Sequence, residues 1–240
     1  MGIGFGFYAI DKDNLPLILT KRGSMRGIGI ISIFLTLCSG KGGKMEKIEL
    51  PDPLETRKSI EECLLKRRSI RSFSKKELTL EEISTLLWSS QGITEKRMGF
   101  RTAPSAGALY PLEVYLIKRD GLFHYIPKGH KIERLGDKDL RDELCKAALS
   151  QEYVREAPCV FVITGVPKRI TGKYGERGVR YMWIEVGHAA QNLLLEAVAL
   201  GLGGVPIGAF FDDEVAKILR LSKGEVPLYI IPIGHPRQTP

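Results

Sequence analysis

The segment from Gly178 to Leu200, GVRYMWIEVGHAAQNLLLEAVAL, limits what this chain can fold into more than any other. Its apolar residues run around the whole helical circumference, and its only full charges are Arg180, Glu185 and Glu196. A helix of that kind is stable only when neighbours cover it on several faces. The remaining elements must therefore pack around it, with 178–200 as the spine of one domain.

The chain of 240 residues, 43% of them hydrophobic, is long enough to bury a real core. Its net charge of +8 calls for a cause. The lysines and arginines are scattered and no basic stripe is interleaved with aromatics, which argues against a nucleic-acid partner and leaves an anionic cofactor or an acidic surface. Cys38, Cys63, Cys145 and Cys159 show no CxxC spacing, and the four histidines do not pair with them, so neither a zinc site nor a disulfide framework is predicted.

Residues 1–44 differ in character from the rest of the chain. Gly27 to Leu37 is uncharged and largely apolar, too short to span a bilayer as a helix but suited to a secretion signal if translation starts at Met25. Cys38 then stands where a lipoprotein carries its lipid, although Leu37 occupies a position where a small residue is usual. Both a cytoplasmic form and an exported or membrane-anchored form are open. Residues 45–58, with two prolines and mixed charge, read as a linker, and the domain is expected over 59–240.

Ser59 and Glu62 have capping-box spacing before a short helix that ends in an arginine cluster. Thr79 opens an amphipathic helix carrying Ile83, Leu86 and Leu87. Strands are expected at 112–118 and 121–126 across a tight turn, a helix at about 137–149, and a buried strand in CVFVIT. After the spine come a strand at 204–210, a helix at 212–220 and a last strand, VPLYIIPIG.

Three stretches stand out chemically. Arg67, Arg68, Ser69 and Arg71 sit together at a helix end, and guanidinium forks with a hydroxyl match phosphate oxygens; a solvated basic patch has the same composition. APSAGALYP, residues 103–111, places Ser105, Ala106, Gly107 and Ala108 in tandem between prolines. A plain turn does not need four small side chains; a backbone pressed against a planar ligand does, and a loop simply leading into a strand is the other reading of the stretch. The third is GLGGVPIGAF, with Gly203, Gly204 and Gly208 around a strand, alongside Gly187 on the spine.

This set, in this order, resembles the nitroreductase family of flavoenzymes, from about Ser59 to Arg237. The resemblance rests on RRSIRSF, APSAGALYPLEVYL, EVGHAAQNLLLEAVALGLGGVPIG and PIGHPR. It implies an α+β fold, a three-layer sandwich whose central, mainly antiparallel sheet is flanked by helices, in a homodimer with FMN at the subunit interface. It also implies FMN contacts from Arg67, Arg68, Ser69, Arg71 and Arg237 to the phosphate. Pro104, Ser105, Ala106, Gly107 and Leu109 would lie along the ring, with Gly187, Gly204, Val205, Pro206, Ile207 and Gly208 also in the cofactor site. Within the family, SAGALYP and KYGERGVRYMWIEVGHAAQN are similar to the SagB-type dehydrogenases of thiazole- and oxazole-containing peptides. There a Lys-Tyr pair assists proton removal while an azoline becomes an azole, and Lys173 and Tyr174 match it as catalytic residues; as bare sequence, they equally fit exposed loop positions.

The resulting expectation is an FMN-dependent oxidoreductase moving hydride through the flavin N5. The substrate is a small molecule or a peptide: transfer from NAD(P)H to a nitroaromatic or quinone is what the family implies, and azoline oxidation what the branch implies. A non-catalytic flavin-binding or interaction protein is the alternative. His188 reads as a buried, satisfied residue, and Glu185 as a carboxylate in need of a partner.

Overall fold

The computed structural model describes residues 46–237; the leader over 1–44 and lipid attachment at Cys38 lie outside them. In chain order the elements are β1 (Lys47–Glu49), α1 (Ile60–Lys66), α2 (Leu80–Gln91), β2 (Ile93–Glu95), β3 (Phe100–Arg101), β4 (Leu112–Lys118), β5 (Gly121–Ile126) and β6 (Lys131–Gly136). They continue as α3 (Arg141–Ala147), α4 (Tyr153–Glu156), β7 (Cys159–Gly165), α5 (Lys168–Tyr174), α6 (Arg177–Ala199), β8 (Gly203–Gly204), α7 (Asp212–Leu219) and β9 (Val226–Gly234).

Seven strands form one sheet in the order β1-β6-β5-β4-β7-β9-β8, and neighbours in it run antiparallel. The period-two alternation of β4 sorts its side chains between two cores. Val114 and Leu116 join Leu86 and Leu87 of α2 and Val186 and Leu193 of α6. Tyr115 and Ile117 join Leu144 of α3, Val154 of α4 and Val215 of α7. Because helices cover both faces, β7 can be apolar at nearly every position, and all seven of its residues are buried. This is the three-layer α+β sandwich expected from the sequence.

Local signals explain the main helix boundaries. At α2 the Thr79 hydroxyl accepts from the Glu82 amide at 3.2 Å while the Glu82 carboxylate accepts from the Thr79 amide at 2.8 Å, a complete capping box. At α1 only half of that arrangement forms. Ser59 accepts from the Glu62 amide, but the Glu62 carboxylate turns to Lys66 at 2.8 Å. Inside α6, Ala189, Ala190 and Ala197 are buried and let neighbouring elements approach, while Leu193 and Leu194 fill the space between them. Full burial of such a leucine stabilises the fold by about 1.5–3 kcal/mol.

Four sequence expectations are corrected. The stretch read as a linker contributes β1, whose Lys47 and Glu49 stand opposite Glu133 and Lys131 of β6, so cross-strand charge pairs recruit it to the sheet edge. The strand expected over 204–210 shrinks to β8, because Pro206 has no N–H to give and breaks the ladder between the Val205 amide, which donates to Pro232 at 3.4 Å, and the Ile207 amide, which donates to Ile230 at 2.8 Å. The helix expected over 137–149 is confined to Arg141–Ala147, since Leu149 and Ser150 turn left-handed at φ +57°. The fourth concerns His188, which is exposed rather than buried. It lies beside Trp183 and Ile184, which are 53% and 51% exposed, and beside the open Gly187. One flank of the spine is therefore uncovered. Among the described residues no helix is long and apolar enough to cross a membrane.

Candidate functional site

The loop between β3 and β4 is the most contorted backbone in the domain. Gly107 (φ +65°), Ala108 (φ +53°) and Tyr110 (φ +46°) all occupy the left-handed region around a single turn of 3-10 helix at Ala106–Ala108. Such a path favours side chains that are small, which accounts for the composition of 105–108. Local bonds hold it. The Ser105 hydroxyl accepts from the Tyr110 amide at 2.9 Å, the Tyr110 hydroxyl accepts from the Arg101 amide at 3.2 Å, and the Arg101 guanidinium lies 4.6 Å from the Tyr110 ring centre.

Lys173 and Tyr174 are not loop residues: they form the last turn of α5 and face this loop. A β-carbon built on Gly107 would stand 2.7 Å from Tyr174 Oη and 2.9 Å from Lys173 Nζ. Two segments separated by over sixty residues, each singled out from sequence for different reasons, are thus in contact. Tyr174 is braced edge-to-face against Tyr181 of α6, with ring centres 5.2 Å apart. Arg169, one turn before Lys173, donates to the Tyr110 carbonyl at 3.3 Å and pairs with Glu113 of β4. Burial would push the Glu113 carboxyl up, but His124 at 2.8 Å and Arg169 outweigh it and hold the group below the usual carboxylate range. These bracing residues are not evident from sequence. Glu113, a charge placed on an otherwise apolar strand, is the available signal.

Glu185 of α6 adjoins the loop from within. It is 2% exposed, and neither carboxylate oxygen has a hydrogen-bond partner among the described residues. Burial pushes its carboxyl up to about 7, partly offset by the nearby Ser105 hydroxyl and the Arg101 charge.

The arginine cluster forms a second centre. The chain after α1 runs along the β8 end of the sheet: Ser69 bridges to Gly204, the Ile70 amide donates to the Gly204 carbonyl at 3.0 Å, and the Arg237 amide donates to the Ser72 carbonyl at 3.0 Å. A β-carbon on Gly203 would come within 2.6 Å of Ile70, so only glycine allows this approach. A cleft of about 200 Å³ results, lined among others by Lys58, Lys66, Arg67, Arg68 and Gly204. Among the described residues Arg67 and Arg71 have no carboxylate partner. Arg68 instead donates to the carbonyls of Leu65 and Arg67, and Arg71 leans towards the Tyr153 ring at 5.8 Å. The cleft has the size of a phosphate with its linker and lies below the roughly 300–1,000 Å³ that a whole organic cofactor occupies.

The predicted cofactor residues therefore fall into two groups. Arg67, Arg68 and Gly204 line one cleft, Ser69 bridges to Gly204, Arg237 is tied to Ser72 through its amide, and Arg71 turns to Tyr153; Val205 and Ile207 are buried, and Pro206 and Gly208 lie nearer the surface. Pro104, Ser105, Ala106, Gly107 and Leu109 gather elsewhere, near Glu185. The cleft meets α6 at Leu194, nine residues beyond Glu185, which is about 14 Å at ~1.5 Å per residue. Gly187, exposed, lies between the two groups.

The family model described as "Nitroreductase family" matches residues 64–235. The chain belongs to the nitroreductase family. It is an FMN-dependent oxidoreductase, with NAD(P)H as the family's electron donor. A Methanocaldococcus jannaschii protein named as a nitroreductase is 45% identical over 80% of this chain and 98% of its own length. The crystal structure of a Ralstonia eutropha protein named as a nitroreductase superposes with a TM-score of 0.73 at 28% identity, over 80% of this chain and 90% of that one. The microcin B17-processing protein McbC of Escherichia coli is 26% identical over 65% of this chain, which spans 62% of McbC. The free arginines and the left-handed loop fit FMN: the first offer donors to a phosphate, the second bares backbone groups to a flat ring.

Proposed function

We propose that this nitroreductase-family protein oxidises an azoline-type ring, in a peptide or a small molecule, and that Lys173 and Tyr174 carry the proton chemistry. The observation behind this reading is the contact of both side chains with Gly107, at the loop assigned to the flavin ring. The relative named for microcin B17 processing supports a peptide substrate.

Bound FMN supplies a hydride acceptor at its N5. Arg67, Arg68, Ser69 and Arg237 would hold its phosphate, and the backbone of 104–109 would lie along the ring. Lys173 Nζ accepts the proton that the substrate carbon loses, and Tyr174 Oη, fixed by Tyr181, orients it by hydrogen bonding. The Arg169–Glu113 pair keeps α5 seated so that this geometry persists.

The two groups of cofactor residues are separated along α6, and Trp183 and Ile184 leave an apolar flank open, so two copies pair and the loop of one completes the cleft of the other. The deciding experiment compares Lys173→Ala with wild type on two substrates. With an azoline substrate the rate falls by roughly 10²–10⁴, as loss of a general base predicts. With NAD(P)H and a nitroaromatic acceptor it changes little. No loss on the azoline would refute the assignment.

A further inference from the structure

Glu185 and Gln91 are buried groups with unused hydrogen-bonding capacity, and Arg101 acts on both, by a hydrogen bond to Gln91 and by its charge on Glu185. Among the described residues no group meets hydrogen-bond geometry with either Glu185 oxygen, although the Ser105 hydroxyl is close enough to act on the carboxyl, and Gln91, also buried, has no partner for its Nε2. Arg101 Nη1 donates to Gln91 Oε1 at 2.8 Å, and its charge acts on Glu185. Ser105 joins this cluster to the small-residue loop. A buried carboxylate that neither caps a helix nor pairs in an ion pair is costly in a fold, and it persists where its proton is exchanged.

We propose that Glu185 is a redox-linked proton site, binding a proton from solvent when electrons arrive beside the small-residue loop and releasing it when they leave. This rests on the assignment of that loop to FMN. A hydride from a nicotinamide-class donor brings two electrons and one proton, leaving one added negative charge at the cofactor. One proton passing from water to a Glu185 oxygen, with an O–H bond formed, cancels that charge, and oxidation reverses the step. Glu185 acts through its charge rather than by touching the reacting atoms, so it is a positioning residue. The surroundings suit this. Arg101 of β3 is the charge that faces it, α2 offers the neutral Gln91, and the loop offers the Ser105 hydroxyl. Lys173 and Tyr174 of α5 lie across Gly107, Tyr181 backs Tyr174, and Glu113 of β4 acts on Arg101 while tied to Arg169 and His124. Burial sets Glu185 near about 7, where a modest change in local charge moves its proton.

The test is the midpoint potential of the FMN-loaded protein, measured against reference dyes from about pH 6 to about pH 8, for wild type and Glu185→Gln. The expected result is a steeper fall with pH in wild type, by up to one additional proton per two electrons, and its loss in the variant. Equal slopes in two flavin-loaded proteins overturn the proposal. Should Glu185→Gln not retain flavin, the infrared difference spectrum of wild type decides: a protonated carboxylic acid band must appear on reduction, and its absence overturns the proposal. A wild type that takes up no FMN overturns the FMN assignment, and this inference with it.

Discussion

Gly107 and Lys173 approach so closely that a β-carbon on the glycine would lie 2.9 Å from the lysine Nζ. The glycine also sits at φ +65°, where a side chain is strained whatever the space around it. Loop and α5 are therefore one unit, and the shape of the first decides where the second can put its amine and hydroxyl.

Gly107→Ala tests that coupling. Backbone strain should cost about 1 kcal/mol of stability, a few degrees in melting temperature. Lys173 and Tyr174 must swing aside to admit the methyl group, so kcat with an azoline substrate should fall at least about tenfold, the loss expected when positioned groups shift by an ångström. Steady-state kinetics alongside a melting curve separates the two. Unchanged kcat would show that the contact has no role in turnover.

Arg67 should matter more to FMN than Arg71. Arg67 lines the basic cleft, and among the described residues neither it nor Arg71 has a carboxylate partner, but Arg71 leans on Tyr153. Arg67→Ala removes charge-assisted bonds to phosphate and should weaken FMN binding by about 1.5–3 kcal/mol, roughly ten- to hundredfold in Kd. Arg71→Ala should cost less. Flavin fluorescence titration of both variants gives the comparison, and a larger loss for Arg71 would reverse the assignment.

The sequence and the structure agree where a signal is local. The Thr79–Glu82 box, the β-branched run of β7 and the nearly uncharged spine each mark their element within their own residues. Where an element depends on a distant partner, the chain alone is silent. Residues 47–49 become a strand only by pairing with β6, where Glu133 and Lys131 lie opposite Lys47 and Glu49 and Ile48 packs on the core, and α5, which buries only Ile170, is held by docking onto Glu113 and the loop. The candidate site divides in the same way. Its arginines and small residues are legible as composition, but their separation along α6, and the meeting of Gly107 with Lys173 and Tyr174, are products of tertiary packing.

If two copies complete the site, the open flank of α6 is where they meet. Trp183→Glu places a charge in the centre of that apolar stripe, and burying an unpaired carboxylate across an interface is strongly disfavoured. Light scattering should show a dimer for wild type and a shift towards monomer for the variant, with flavin retention falling in step. A variant that stays dimeric and yellow would move the interface elsewhere.

Glu185 also predicts how stability depends on pH. Its folded-state carboxyl is raised to about 7 from an ordinary 4.5, so the folded chain binds this proton more tightly than the unfolded one. Stability from this group is therefore fully present below about pH 4.5 and is lost as pH rises through about 7, the reverse of a salt-bridged acid. Two and a half pH units correspond to about 3 kcal/mol, and some access of water reduces this to roughly 2 kcal/mol. Glu185→Gln keeps the shape and removes the ionisation. In urea melts of the apo protein between about pH 5 and about pH 8, wild type should lose roughly 2 kcal/mol more than the variant, and the variant should be the more stable of the two at the alkaline end. Parallel profiles would mean that Glu185 finds a partner, such as an ordered water or an arginine rotamer, that keeps its charge at no cost.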